Sequence, residues 1–449
     1  MRFCEAILVR DFPLHVGVDG FNLALPRGTG IATYARTLTH CLKAMGCTVD
    51  VVYGMDISPA MSAELREVMF FDILGQTADK KAAKSIFPRW LRNFVADTVM
   101  SAPKAVEVPI SGRVEARGFA QRLPTFDRVL NVQNLYQAAG RHFRSTGRFM
   151  TICIPDPPAI MHWTYPLPIR VKGARNIYTI HDLVPLRLPQ TTLDNKKFHF
   201  KLISKVVQSA DAICTVSEAS RKEILSFFPE VEERLHNTYQ SFEPNTSIDV
   251  SREEGINQEI RELFGLQPGG FFLFFGSLEP KKNIGRLIEA FLMARTDRTL
   301  VIVGAMSWKT DDELRFLERG IAAGRIQKLE YLPAPLLAAL IRGARAVLFP
   351  SLSEGFGLPV LEALSWGTPV MTSREGALPE VAGEAALFVD AYDPSSMSAG
   401  IEELDSNDAL CASLRELGPR QAACFDMRKY EDRLREMYQS VLSLKKSRR

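Results

Sequence analysis

Short apolar runs alternate with helix-period segments along most of the chain. HVGVDG (15–20) has the alternation of a strand, and a glycine-containing loop leads from it into the helical pattern of GIATYARTL. RVLNVQ (128–133) reads as a strand. IYTIHDLVP (177–185) and AICTVSEASRKEIL (212–225) each read as a short apolar strand followed by a turn or a capped helix. From 226 to 258 the rhythm lapses into a polar stretch punctuated by two prolines, which predicts the interdomain linker. It then restarts: FFLFFGS (strand), KKNIGRLIEAFLMA (helix), TLVIVGA (strand), a helix near 310–324, AVLFPSL (strand), PVLEALSWG (helix), PVMTS (strand) and AALFVD (strand). CFDMRKYEDRLREMYQSVLSL is amphipathic and predicts a terminal helix. Strands alternating with helices imply parallel sheets covered on both faces. The fold class is therefore α/β, as two doubly wound domains: 1–238, a linker at 239–258, 259–424, and a terminal helix with a basic tail at 425–449.

Length agrees with this division, since 449 residues exceed what one core supports. Apolar residues at 46% and charged residues at 24% are ordinary for a globular chain, and a net charge of +3 gives no reason to invoke nucleic acid. Seven scattered cysteines form no CxxC pair, so neither a metal centre nor a redox framework is indicated. The amino terminus has no apolar run of signal-peptide or membrane-spanning length, which predicts a cytoplasmic protein.

The candidate chemistry lies in PSLSEGFGLPVLEALSWGTPV (350–370). A strand ends near Pro350, and Pro359 suits the first position of a helix. Gly355 and Gly357 permit tight turns and close approach to a ligand. The unpaired amides of Gly357, Leu358 and Val360 at a helix start suit a phosphate. Glu354 and Glu362 would repel that phosphate, but each carboxylate can accept hydrogen bonds from neighbouring hydroxyls. Loop, glycines, proline and two glutamates in this order read as a clamp, with a sugar on one side of a diphosphate and a ribose on the other.

SLSEGFGLPVLEALSWGTPVMTS resembles the E-x7-E signature of retaining glycosyltransferase family 4, which has the GT-B fold of two Rossmann-like domains facing a shared cleft. FFGSLEPKKNIGRLIEAF is similar to the family's second phosphate-binding segment. RGTGIATYARTL and IYTIHDLVPLRLP are similar to its amino-terminal glycine loop and active-site histidine strand. The resemblance makes 1–238 the acceptor side and 259–424 the nucleotide-sugar side. It implies that Glu354 contacts hydroxyls of the donor sugar, that Glu362 contacts the ribose, and that the backbone from Gly355 through Phe356 and Gly357 to Leu358 holds sugar and diphosphate. Lys282 would pair with the diphosphate. Where many relatives have an arginine this chain has Ser277, and Lys281 beside Lys282 would compensate. His181 would sit beside the reacting region of the sugar, either orienting a hydroxyl or acting on it. Gly28 and Gly30 would admit the phosphates from the opposite domain. His181, Glu354 and Lys282 are thus the implied catalytic residues, in a transfer that retains configuration by front-face displacement.

No Asp-x-Asp occurs in the chain, so the expectation is a metal-independent enzyme without cofactor, its donor being a nucleoside diphosphate sugar. The relatives it resembles build bacterial surface polysaccharides and many move mannose. GDP-mannose is therefore the expected donor, and a saccharide or polyprenyl-linked saccharide the acceptor. KKAAKSIFPRWLRNFV (80–95) mixes cations with large apolar residues, which suits peripheral contact with the inner membrane; a loop with a partly buried helix suits it equally. GTGIAT superficially suggests a dinucleotide loop, but Thr33 stands where that fingerprint needs glycine or alanine. A nucleotide-sugar epimerase and an inactive scaffold subunit are the other readings the fold admits.

Overall fold

Each apolar run is short and buried on both faces, as strands covered by helices must be. In the computed structural model, which describes residues 12–25, 30–75, 102–119, 123–242, 253–305, 316–330 and 332–444, these runs assemble into two sheets and a small strand pair. The first half contains β1 (His15–Asp19), β2 (Thr48–Tyr53), β3 (Val106–Val108), β4 (Arg128–Asn131), β5 (Met150–Ile152), β6 (Ile160–Trp163), β7 (Ile169–Val171), β8 (Arg175–Thr179), β9 (Ala212–Thr215) and β10 (Leu235–Asn237). β5 pairs with β7, and the other eight run β10-β9-β8-β6-β1-β2-β4-β3, with β3 alone antiparallel among the described strands. The second half contains β11 (Phe271–Phe275), β12 (Thr299–Val303), β13 (Ile326–Leu329), β14 (Ala346–Phe349), β15 (Val370–Ser373) and β16 (Leu387–Val389), all parallel, in the order β13-β12-β11-β14-β15-β16. That is the doubly wound order of dinucleotide-type folds, with its switch point between β11 and β14. The first sheet switches between β1 and β6.

Alternation divides the first sheet's side chains between two cores. Val16, Val18, Val49 and Val51 pack on one side, and Val52, Met161, Trp163 and Tyr178 on the other. A buried polar group pins the β1–β2–β4 register. Asp50, fully buried, accepts from Arg128 Nε at 2.9 Å and Nη2 at 2.6 Å, and its second oxygen meets His15 Nε2 at 2.8 Å.

The polar stretch at 226–258 contains more structure than its composition suggests. β10 joins the first sheet there, and helix Glu253–Phe264 begins within the segment expected as linker. That helix packs on helix Ala334–Gly343 through Ile260, which lies against Gly343, and its other faces are mostly exposed. A stripe so narrow leaves little apolar signal. The helix near 310–324 is described over Leu317–Ala322.

The terminal helix, Met427–Ser443, starts at Asp426, whose carboxylate accepts from the Lys429 amide. It buries Tyr430, Leu434, Met437, Tyr438 and Val441 at helical spacing and packs against helix Gly30–Ala44 of the first domain. The chain therefore crosses between the domains a second time, just before residue 427. Among the described residues no helix is long and apolar enough to cross a membrane. The basic segment 80–94 and the tail 445–449 lie outside the described residues.

Candidate active site

The loops leaving the carboxyl ends of β11 and β14 meet at the second sheet's switch point. After β11 the chain turns at Gly276 (φ 139°) and Ser277, then forms a 3-10 turn over Pro280–Lys282 ending in Asn283. Asn283 adopts φ 61°, and its side-chain amide donates to the carbonyls of Pro350 and Ala391, tying this turn to the β14 loop. The Leu352 amide donates to the Lys281 carbonyl, a second tie.

These ties bring Lys282 and Glu354 together. Lys282 Nζ donates to Glu354 Oε1 at 2.7 Å, and both residues are buried. The ammonium also lies 5.0 Å from the centre of the Phe349 ring. Glu354 Oε2 has no partner among the described residues, so it is the oxygen open to a hydroxyl. Lys281 points toward the first domain, with Nζ 4.0 Å from Asp182 Oδ2. Burial opposes its charge, but Asp182, Glu354 and Glu279 outweigh that and hold the ammonium above its ordinary range. Ser277 is exposed and donates to Glu279 Oε1 at 2.5 Å.

Helix Leu358–Ser365 begins one residue before Pro359, with Gly357 at its N-cap in a left-handed conformation, φ 102°. The amides of Gly355, Phe356, Gly357 and Leu358 have no hydrogen-bond partner among the described residues, leaving a row of donors at a helix start. The Phe356 side chain is buried and contacts Tyr239 and Phe425 with ring centres 6.5 and 5.5 Å apart, while Tyr239 and Phe425 are 5.3 Å apart. Tyr239 follows the first sheet and Phe425 precedes the terminal helix, so both interdomain passages touch the loop that carries Glu354. Glu362, one turn into the helix, is half-buried, and desolvation lifts its carboxyl to about 7.

The first domain faces this loop directly. A Cβ on Gly355 would overlap the carbonyl oxygen of His181, so only glycine permits the approach. The Ser220 hydroxyl lies between the two backbones, 2.7 Å from His181 O and 3.1 Å from Gly355 O. Beside it, the Glu380 carboxylate of the second domain accepts from the amides of Glu218 and Ala219, both at 3.2 Å, at the start of helix Glu218–Phe227.

His181 follows β8, and its Nε2 is 2.9 Å from the Thr164 carbonyl. A carbonyl only accepts, so Nε2 carries the proton and Nδ1 holds the free lone pair. Burial lowers the imidazole's pKa, which favours that neutral form. Thr164 is held in turn by Asp19, whose Oδ2 accepts from its amide at 2.5 Å. Asp19 is fully buried, and desolvation raises its carboxyl to about 6. Sequence reasoning did not single it out, although an acid ending the strand HVGVD was the available signal. Asp182 accepts from the Val184 amide at 3.1 Å and braces the turn after His181.

His181, Lys281, Lys282 and the Glu354 loop are thus gathered at one cleft. Gly30 begins helix Gly30–Ala44, with open space where a Cβ would stand, and Gly28 lies outside the described residues. No group of three or more potential metal ligands occurs among the described residues.

Residues 257–421 match the family model described as Glycosyl transferases group 1. Over 248 residues the chain is 33% identical to O-antigen chain mannosyltransferase B of Escherichia coli, covering 54% of this chain and 64% of that one. Serotype-specific mannosyltransferase WbdA of Escherichia coli is 27% identical over 272 residues, 59% of this chain and 33% of that one. The chain thus spans less than two thirds of the length of either relative. Among solved structures, Anabaena HepE in complex with UDP and glucose has a TM-score of 0.62 at 14% identity, over 95% of this chain and 100% of that one. Residues 257–421 thus resemble the glycosyl transferases group 1 family, and the chain has the GT-B fold of its solved neighbours.

Proposed function

We propose that this protein is a retaining hexosyltransferase that moves mannose from GDP-mannose to a saccharide or lipid-linked saccharide acceptor during assembly of a surface polysaccharide. The observation that carries the reading is the meeting of Lys282 and Glu354 beside the unpaired amides of Gly355–Leu358, opposite the neutral imidazole of His181. Two relatives named as mannosyltransferases support the sugar, and a structural neighbour holding UDP and glucose supports a nucleotide-sugar donor.

In this reading the diphosphate lies on the helix-start amides with Lys282 and Lys281 beside it. Glu354 Oε2 accepts from a sugar hydroxyl, Glu362 from the ribose, and His181 Nδ1 from another sugar hydroxyl. The acceptor oxygen bonds to the anomeric carbon on the face the diphosphate leaves. As the C1–O bond breaks, its electron pair goes to the diphosphate, and the acceptor's proton passes to a phosphate oxygen. Negative charge grows on the leaving group, where two ammonium groups and fixed dipoles stabilise it most. The intrinsic base need not be a carboxylate, and no protein nucleophile is required.

The purified chain, given GDP-mannose or UDP-glucose with and without saccharide acceptors, should release nucleoside diphosphate only when an acceptor is present. The product's anomeric configuration, read by NMR, should match the donor's, and a chelator should leave the rate unchanged. Inverted product, or a rate abolished by chelation and restored by magnesium or manganese, would refute the corresponding part. An altered nucleotide sugar formed without acceptor would identify an epimerase.

A further inference from the structure

Charge is unevenly spread along this nearly neutral chain. Between residues 135 and 210 stand eleven Lys and Arg against three acids, Asp156, Asp182 and Asp194. Part of that excess converges on a cavity of about 240 Å³ in the first domain, away from the cleft. Arg148 enters from the loop after helix Leu135–Thr146, Arg170 from β7, and Lys205 from helix Lys196–Ser209. None of these three cations forms an ion pair among the described residues. Thr151 adds a hydroxyl, and the half-buried ring of Phe149 supplies an apolar wall, backed at 5.8 Å by the fully buried ring of Tyr178.

Negative groups near this cavity are already engaged. Asp211 pairs with Arg175 at 3.0 Å and accepts from the Asn176 amide at 2.8 Å. The carboxyl end of helix Lys196–Ser209 would repel an anion, but Arg234 donates to the carbonyls of Ala210 at 2.7 Å and Val207 at 2.9 Å. Arg148 and Arg170 are exposed and Lys205 is half-buried, so water screens their mutual repulsion, and all three are left able to make charge-assisted contacts to one anion. Asn176, which also lines the cavity, lies five residues before His181, about 16 Å along an extended strand.

We propose that this cavity is a second anion site, taking a phosphate group on Arg148, Arg170 and Lys205 with the carbon framework that bears it against Phe149. It does not depend on the reading of the cleft. The phosphate can arrive on a soluble phosphorylated sugar or on a lipid headgroup, and one set of variants distinguishes the two.

Calorimetric titration with inorganic phosphate and with glucose 6-phosphate should give saturable binding to the wild-type chain. Arg148→Gln/Arg170→Gln/Lys205→Gln should weaken the component due to the cavity by about tenfold or more, because three charge-assisted contacts are lost. Nucleoside diphosphate binding and the far-ultraviolet circular dichroism should not change. Tighter binding of glucose 6-phosphate than of phosphate, with no sedimentation on phosphatidylglycerol vesicles, assigns a soluble ligand. Sedimentation on those vesicles that the triple variant loses assigns a headgroup. Equal phosphate affinity in the wild type and a folded triple variant overturns the proposal. So does a wild type that binds neither phosphate nor vesicles.

Discussion

His162 Nδ1 and the Tyr438 hydroxyl lie 2.8 Å apart, both fully buried, across 276 residues of sequence. The other ring nitrogen, Nε2, is 2.9 Å from Thr179 Oγ1. Desolvation drives the imidazole down to about 3, so it is neutral in the folded protein. The unfolded chain takes up a proton near pH 6.5 that the folded chain refuses. The contribution of His162 is therefore complete above about pH 6.5 and is lost as pH falls toward 3, amounting to about 2 kcal/mol by pH 5. Asp19 and Glu362, both raised, act in the opposite sense, so the quantity to measure is the difference in urea stability between wild type and His162→Gln from pH 8 to pH 5. Parallel curves would contradict the burial argument. Tyr438→Phe, which leaves His162 Nδ1 unpaired, should cost about 1–3 kcal/mol at pH 7.5.

Lys282→Ala should weaken more than ligand binding. Removing the ammonium strands the Glu354 carboxylate in a site that is 8% exposed. Breaking one side of a buried pair costs about 3 kcal/mol or more, whereas Lys282→Met with Glu354→Gln should cost distinctly less. Chemical denaturation of the two variants decides it. Equal losses would mean that water reaches the carboxylate once the lysine is gone.

Gly355→Ala tests the closeness of the two domains. The added methyl meets the backbone of His181, which cannot swing aside as a side chain would. Displacing the Glu354 loop by about an ångström should lower kcat/KM about a hundredfold while nucleoside diphosphate still binds. Unchanged turnover would show that the reaction proceeds with the domains further apart than this.

In the proposed donor pose Glu362, lifted to about 7 by burial, should make nucleotide binding pH-dependent. The carboxylate accepts from the two ribose hydroxyls much more strongly than the neutral acid, so affinity should rise with pH and level off above 8. At pH 6 about a tenth of the groups are ionised, which predicts roughly tenfold weaker binding there. Calorimetry on Glu362→Gln should give a flat profile. A slope identical to wild type would place the ribose elsewhere.

The second sheet was the most legible part of the chain. FFLFF, TLVIV and AVLF are buried on both faces and stand out as unbroken apolar runs, and the glutamates of 350–370 lie within one loop and one helical turn. Less visible were strands whose polar residues are matched by distant partners. β2 carries Asp50, which makes sense only beside Arg128, and β6 carries His162, which needs Tyr438. Glu380 resembles any helical glutamate until helix Glu218–Phe227 is brought against it. Local patterning reports how a segment meets water, whereas these groups answer to chain more than 75 residues away.

Phe356 touches Tyr239 on one interdomain passage and Phe425 on the other. A body joined to its neighbour at one point can turn about any axis through it. Joined at two adjacent points, it turns easily only about the line between them. That line passes beside the loop bearing Glu354, where the lever arm is short. Opening would therefore swing the far rim of the cleft widely while the loop bearing Glu354 scarcely translates, so a ligand could enter without the Lys282–Glu354 pair being rebuilt at each cycle.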